Sequence, residues 1–296
     1  MSKVLVCCLG GTIGSKVTGD KTIKLGSAPD KSFFEKTKVK ADFKIITPIL
    51  YSSENADVTY FKEAFKGIVR EVKEDRPDGI LILHGTDSVA YFAQLAVRAL
   101  SFLNLPVIIT GAKLPPQDLR SDAQKNVKYA LGIMDAAISG KTGNNTFGVV
   151  FSDSFMGDTS FVQAYKMQDA DFQGDYKKFP GGKEPKTLTE EEAMAFIGSE
   201  NNKKVITIPN TPGFPYDALD ITKADAILIE AYHSGTASTR GLPELIKKAT
   251  EEGKKCYIAP SHRNDTKYES EKILLEAGAQ PLYDMPIEGA WAEVVI

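Results

Sequence analysis

Apolar residues along this chain fall into short continuous runs that alternate with segments of helical period. Val4–Leu9, Lys44–Leu50, Gly79–Leu83, Pro106–Thr110 and Phe147–Phe151 each read as strands. Between them, Phe61, Ala64, Phe65, Ile68, Val69 and Val72 line one face of a helix over 60–72. Val89, Phe92, Ala93, Ala96, Ala99 and Leu100 line a second, which Ser88 is placed to cap. Ala123, Val127, Ala130, Leu131, Met134 and Ile138 line a third, opened by Ser121. Strands that are apolar throughout and alternate with helices belong to a parallel sheet covered on both faces.

The rhythm breaks between Gly174 and Asn202, where glycine, proline and charge replace periodicity. A shorter series follows, with strands at Val205–Ile208, Ala226–Ala231 and Lys255–Ala259 and helices at Leu242–Glu252 and Tyr268–Ala277. Ile296 ends the sequence on an apolar segment that reads as a packed helix. The expected fold is α/β in two domains. The larger, over 1–180, has a mostly parallel sheet with helices on both faces. A linker over 181–203 leads to a smaller flavodoxin-like α/β domain over 204–296.

Composition narrows the function classes. With 296 residues, 42% hydrophobic and 25% charged, the chain reads as a soluble globular protein. A net charge of -3 makes no electrostatic case for nucleic acid or an anionic membrane. Met1 leads straight into the first strand, so no signal peptide is expected, and no apolar stretch approaches the roughly 20 residues of a membrane span. Cys7, Cys8 and Cys256 form no CxxC pair, and with three histidines the arithmetic for a metal site is poor. They read as buried free thiols in a reducing cytoplasm.

Two strings carry the candidate chemistry. Gly10-Gly11-Thr12-Ile13-Gly14 follows the first strand, and His84-Gly85-Thr86-Asp87-Ser88 follows the one ending at Leu83. Each sets a threonine just past the carboxyl end of a strand, where open parallel sheets bind ligands. The first string lacks the GxGxxG spacing of a dinucleotide loop, and Tyr51-Ser52-Ser53-Glu54-Asn55 stands where an acidic residue would end the second strand, so no cofactor is expected. A threonine hydroxyl is a weak nucleophile that needs a base or a charge partner. A lysine of lowered pKa, oriented by a carboxylate, supplies one. Backbone N–H groups of the glycine-rich loop and the helix start are placed to stabilise an oxyanion. Asp87 and Ser88 equally suit plain helix capping.

These residues resemble the bacterial-type L-asparaginases, closest to their cytoplasmic type I branch. Gly10-Gly11-Thr12-Ile13 looks like the first signature of that family, whose threonine is the nucleophile. His84-Gly85-Thr86-Asp87-Ser88 looks like the second, whose threonine and aspartate belong to a Thr–Asp–Lys triad. Thr110-Gly111-Ala112, followed by Leu119-Arg120-Ser121-Asp122, is similar to a segment where the carbonyl at Ala112 touches substrate. Ser52, Ser53 and Glu54 resemble the loop that holds the substrate's α-amino and α-carboxyl groups. Pro212-Gly213-Phe214 and Glu230-Ala231-Tyr232-His233-Ser234-Gly235 recur in the family. The resemblance implies hydrolysis of asparagine to aspartate and ammonia by Thr12, Thr86 and Asp87, in a cytoplasmic homodimer or homotetramer. It leaves open whether the threonine or an activated water attacks first.

Two departures stand out. Five residues beyond Gly157, where the triad lysine falls in the family, is Val162. Lys166 precedes Phe172 by six residues, the family's downstream spacing, so Lys166 is assigned to the triad after a four-residue insertion. The alternative is a solvated Lys166 and a broken triad. The second departure is in residues 14–29, which read as a mobile lid but contain no tyrosine to contact Thr12, a role left to Tyr51 or another residue. A relative acting on glutamine or a transfer-RNA-linked glutamate, and a non-catalytic asparagine-binding homologue, are the competing readings.

Overall fold

The computed structural model describes residues 1–141, 146–151, 154–157, 162–164, 171–173, 185–263 and 266–296. Among these, two compact units separate: residues 1–173 with 185–200, and residues 201–296.

The first unit is built on a six-stranded sheet. Its strands are β1 (Ser2–Cys8), β4 (Ala41–Ile46), β5 (Gly79–Leu83), β6 (Val107–Thr110), β7 (Phe147–Phe151) and β8 (Ser154–Gly157), in the order β4-β1-β5-β6-β7-β8. All neighbours pair in parallel except β7 with β8. The helices are α1 (Lys31–Glu35), α2 (Val58–Asp75), α3 (Val89–Leu100) and α4 (Ala123–Ile138). Every residue of β5, β6 and β7 is buried, as a sheet covered on both faces requires. Val4, Val6, Cys8, Leu81, Leu83 and Ile108 form one core layer with Phe33 and Phe34 of α1 and Ala123, Val127 and Met134 of α4. Helices α2 and α3 meet on the other face through Phe61, Phe65 and Phe92. The β4 strand ends at Ile46, ahead of Pro48, rather than running to Leu50.

This arrangement fixes where a ligand can sit. The chain leaves β1 toward α1 on one face and leaves β5 toward α3 on the other, so a crevice opens between the carboxyl ends of these adjacent strands. Helix α4 shares its face with α1, although β6-to-β7 and β1-to-β4 run in opposite directions across the sheet. The β6–α4–β7 connection therefore has the opposite hand to the other crossovers, of which about 98% in proteins are right-handed.

Residues read as a lid instead form an antiparallel hairpin of β2 (Ser15–Val17) and β3 (Ile23–Leu25). Its turn is closed by the Thr18 N–H donating to Thr22 O at 2.9 Å, and the Asp20 carboxylate accepts from the Thr18 hydroxyl and the Thr22 N–H. Strands β9 (Val162–Ala164) and β10 (Asp171–Gln173) pair antiparallel.

The span read as a linker, 181–203, is structured over its described part. Helix α5 (Glu190–Gly198) opens with a capping box between Thr189 and Glu192. It buries Ala193 and Ile197 and belongs to the first unit. The buried Lys62 of α2 donates to Ser199 O at 3.1 Å beyond the end of α5, its ammonium 4.5 Å from the centre of the Phe196 ring. Burial lowers its pKa. The charged stretch that hid this helix is its solvent face.

The second unit stacks β11 (Val205–Ile208), β12 (Ala226–Glu230), β13 (Lys255–Ser261) and β14 (Ala279–Tyr283) in parallel and in sequential order. Helices α6 (Leu242–Glu251) and α7 (Glu269–Glu276) cover one face through Leu242, Leu245, Ile246 and Leu274. Helix α8 (Ile287–Val295) covers the other through Ala290 and Trp291. Sequential order contains no strand-order reversal, so this sheet lacks the crevice of the first. No helix among the described residues is long and apolar enough to cross a membrane.

Because Ile197 is 2% exposed, Ile197→Ala is expected to lower unfolding stability by about 2–4 kcal/mol in urea. A loss below about 0.5 kcal/mol would mean that 185–200 is a surface connection after all.

Candidate active site

The two threonine strings meet at their glycines. After β1, Gly10 and Gly11 take φ values of 107° and 74°, a region open to glycine and strained for other residues. A Cβ on Gly11 would lie 2.2 Å from the Gly85 Cα, and one on Gly85 would lie 2.3 Å from the Ser53 Oγ. Gly11, Gly85 and Ser53 therefore stack closely, and no side chain fits between the two glycines. Thr12 and Thr86 are the next residues along each strand of this contact. Both are half-buried at the crevice, and neither hydroxyl is engaged by another described residue.

Both peptides that precede the threonines are pinned through their carbonyls. Gly11 O accepts from the Gly14 N–H at 3.0 Å and from the Ser15 hydroxyl at 2.8 Å. Gly85 O lies 2.7 Å from Nδ1 of His84. In a trans peptide the N–H points away from the carbonyl, so each pinned carbonyl turns a threonine N–H the opposite way.

His84 is completely buried among Tyr51, Phe61 and Phe92. Since a carbonyl can only accept, Nδ1 carries the proton toward Gly85 O, and Nε2 must accept from the Tyr51 hydroxyl at 2.9 Å. Desolvation lowers the His84 pKa from 6.5 to about 4, against the opposing pull of the Gly85 carbonyl and Asp87. The ring is thus a neutral strut. Burial likewise pushes the Tyr51 phenol well up, and its proton is committed to His84, so Tyr51 does not take the place of the absent lid tyrosine.

The loop after β4 is tied to the second string. The Ser53 hydroxyl donates to Asp87 Oδ2 at 2.8 Å and accepts from the Asp87 N–H at 3.3 Å. Ser88 occupies the position before α3 but its side chain does not cap that helix. Its hydroxyl donates instead to Ser53 O at 2.7 Å. Forgoing such a cap costs about 1 kcal/mol, so this geometry is held by the loop contact. Ser52 is half-buried, and Glu54 and Asp87 are exposed at the mouth.

Ala112 is buried in the turn after β6. That turn is braced from α4, where the buried Asn126 donates to Gly111 O at 3.0 Å and to Asp122 Oδ2 at 2.8 Å. Asp122 Oδ1 accepts the N–H groups of Lys113 and Leu114. Asn126 was hidden in the sequence, although a lone amide on the apolar stripe of a helix is its signal. Lys166 lies outside the described residues.

Residues 3–172 match the family model described as "Asparaginase, N-terminal". The chain belongs to the asparaginase family. The L-asparaginase of Thermococcus kodakarensis is 29% identical, over 99% of this chain and 92% of that protein. A glutamyl-tRNA(Gln) amidotransferase subunit of Methanosarcina acetivorans is 28% identical, over 94% of this chain and 70% of its own length. The fold matches that of a probable cytoplasmic L-asparaginase from Campylobacter jejuni with a TM-score of 0.78 at 16% identity, covering 100% of this chain and 94% of that one. Within this asparaginase fold, the crevice at β1 and β5 holds both threonine strings.

His84 makes stability depend on pH with a defined sign. Below pH 6.5 the unfolded chain takes up a proton that the native ring refuses until about pH 4. Native stability is therefore expected to fall on acidification through this window, by about 3 kcal/mol from this group. The stability–pH profile of His84→Gln should be flatter than wild type by that amount between pH 7 and 4, and parallel profiles would contradict a neutral buried His84.

Proposed function

We propose that this protein is an amidohydrolase that converts L-asparagine and water to L-aspartate and ammonia. The observation that carries this reading is the Gly11–Gly85 contact, since Thr12 and Thr86–Asp87 are the next residues along each string. Family membership supplies the reaction class.

In this reading the Thr12 Oγ attacks the side-chain amide carbon and gives up its proton. The developing oxyanion is met by backbone N–H groups of the two strings, turned toward the crevice because their carbonyls are held elsewhere. The C–N bond breaks, the leaving nitrogen takes a proton, and ammonia departs from an aspartyl ester on Thr12. Water activated through Thr86, Lys166 and Asp87 then cleaves that ester, restoring the hydroxyl and releasing aspartate. Lys166 holds this role by its spacing to Phe172 and by resemblance to the family. Ser52, Ser53, Glu54 and the Ala112 carbonyl are assigned to the substrate's polar groups. Ser53 contributes to this while its hydroxyl proton rests on Asp87. A cytoplasmic homodimer or homotetramer belongs to the same reading.

The Methanosarcina acetivorans relative favours a second reading, action on glutamyl-tRNA. Ammonia release from free asparagine without RNA separates the two.

Thr12→Ala is expected to lower kcat for ammonia release by about three orders of magnitude or more, with the thermal midpoint unchanged because no described residue engages the hydroxyl. Wild-type kcat in this variant would overturn the nucleophile assignment.

A further inference from the structure

We infer that Ser88 is a positioning residue for substrate binding, a clamp that locks the substrate loop onto the Thr86–Asp87 turn. The inference rests on the proposed asparagine hydrolysis. Ser88 stands at a helix start, where a serine ordinarily turns its oxygen onto the N–H groups of its own helix. Here it does not. Its hydroxyl reaches across 35 positions of sequence to donate to Ser53 O at 2.7 Å.

That carbonyl also receives the Ala56 N–H at 3.3 Å, the bond that closes the short turn Ser53–Asn55. From the same residue, the Ser53 hydroxyl donates to Asp87 Oδ2 and accepts from the Asp87 N–H. Three hydrogen bonds thus join Ser53 to two consecutive residues of the second string. The Ser53 Cβ is itself pressed against Gly85, where even a methyl group would not fit. The contact sets the height of the loop, and the Ser88 bond sets its rotation. Without that bond, Ser53 O loses its side-chain donor and the loop can turn about the Ser53–Asp87 pair.

The Ser88 hydroxyl bonds to Ser53 O, not to Thr12, Thr86 or Asp87. Its loss should loosen a surface that grips substrate and transition state alike, which raises KM and leaves kcat. In Ser88→Ala, KM for asparagine is expected to rise about tenfold while kcat stays within about twofold. Ser88→Thr, which keeps the hydroxyl, should restore KM. Amide exchange supplies a readout without substrate: the Asn55 and Ala56 N–H groups should exchange faster in Ser88→Ala and at the wild-type rate in Ser88→Thr.

A merely structural serine would lower the thermal midpoint and the active fraction with KM unchanged. An unchanged KM in Ser88→Ala, or a threonine variant as impaired as the alanine one, overturns the clamp. If wild-type protein releases no ammonia from asparagine, the proposed function fails, and the exchange rates alone then decide the clamp, unchanged rates overturning it.

Discussion

The site depends on one close approach, the backbone of Gly11 against that of Gly85. Adjacent parallel strands sit nearly 5 Å apart, and the loops leaving β1 and β5 diverge to opposite faces of the sheet. For the loops to touch before diverging, both must lack a Cβ at the crossing point. Ser53 crowds the same position of Gly85, so three loops are registered through a single contact. Thr12, Thr86 and the loop after β4 inherit their relative positions from it.

The carbonyls of both residues that precede the threonines are occupied by partners. Ser15 and Gly14 hold one carbonyl, and a neutral histidine holds the other. A protonated His84 would bring an unpaired charge into a fully buried aromatic surround. Desolvation keeps the ring neutral, and the Tyr51 hydroxyl satisfies Nε2. The tyrosine and histidine together form a strut under the second threonine string, in keeping with the burial of both.

Much of the first unit was legible in the sequence because its strands are buried on both faces and its helices carry clean apolar stripes. The two threonine strings were legible because each sets its threonine just past the end of an apolar strand, and the second adds a neighbouring aspartate. Other features escaped. Helix α5 buries only Ala193 and Ile197, too little apolar periodicity to show against its run of glutamates. The β2–β3 hairpin has exposed residues on both faces, so it reads as loop. Ser88 read as a cap because capping is local, whereas its partner, Ser53, is distant in sequence. Asn126 was masked by the apolar neighbours that share its helix face.

The most direct test of the account is rapid-quench mass spectrometry of the wild-type protein mixed with asparagine. The account predicts a transient aspartyl ester on the peptide that contains Thr12, appearing with a burst of ammonia and cleaved by hydroxylamine. Ammonia released with no burst and no adduct on that peptide, under conditions that capture a control acyl-enzyme, would contradict it.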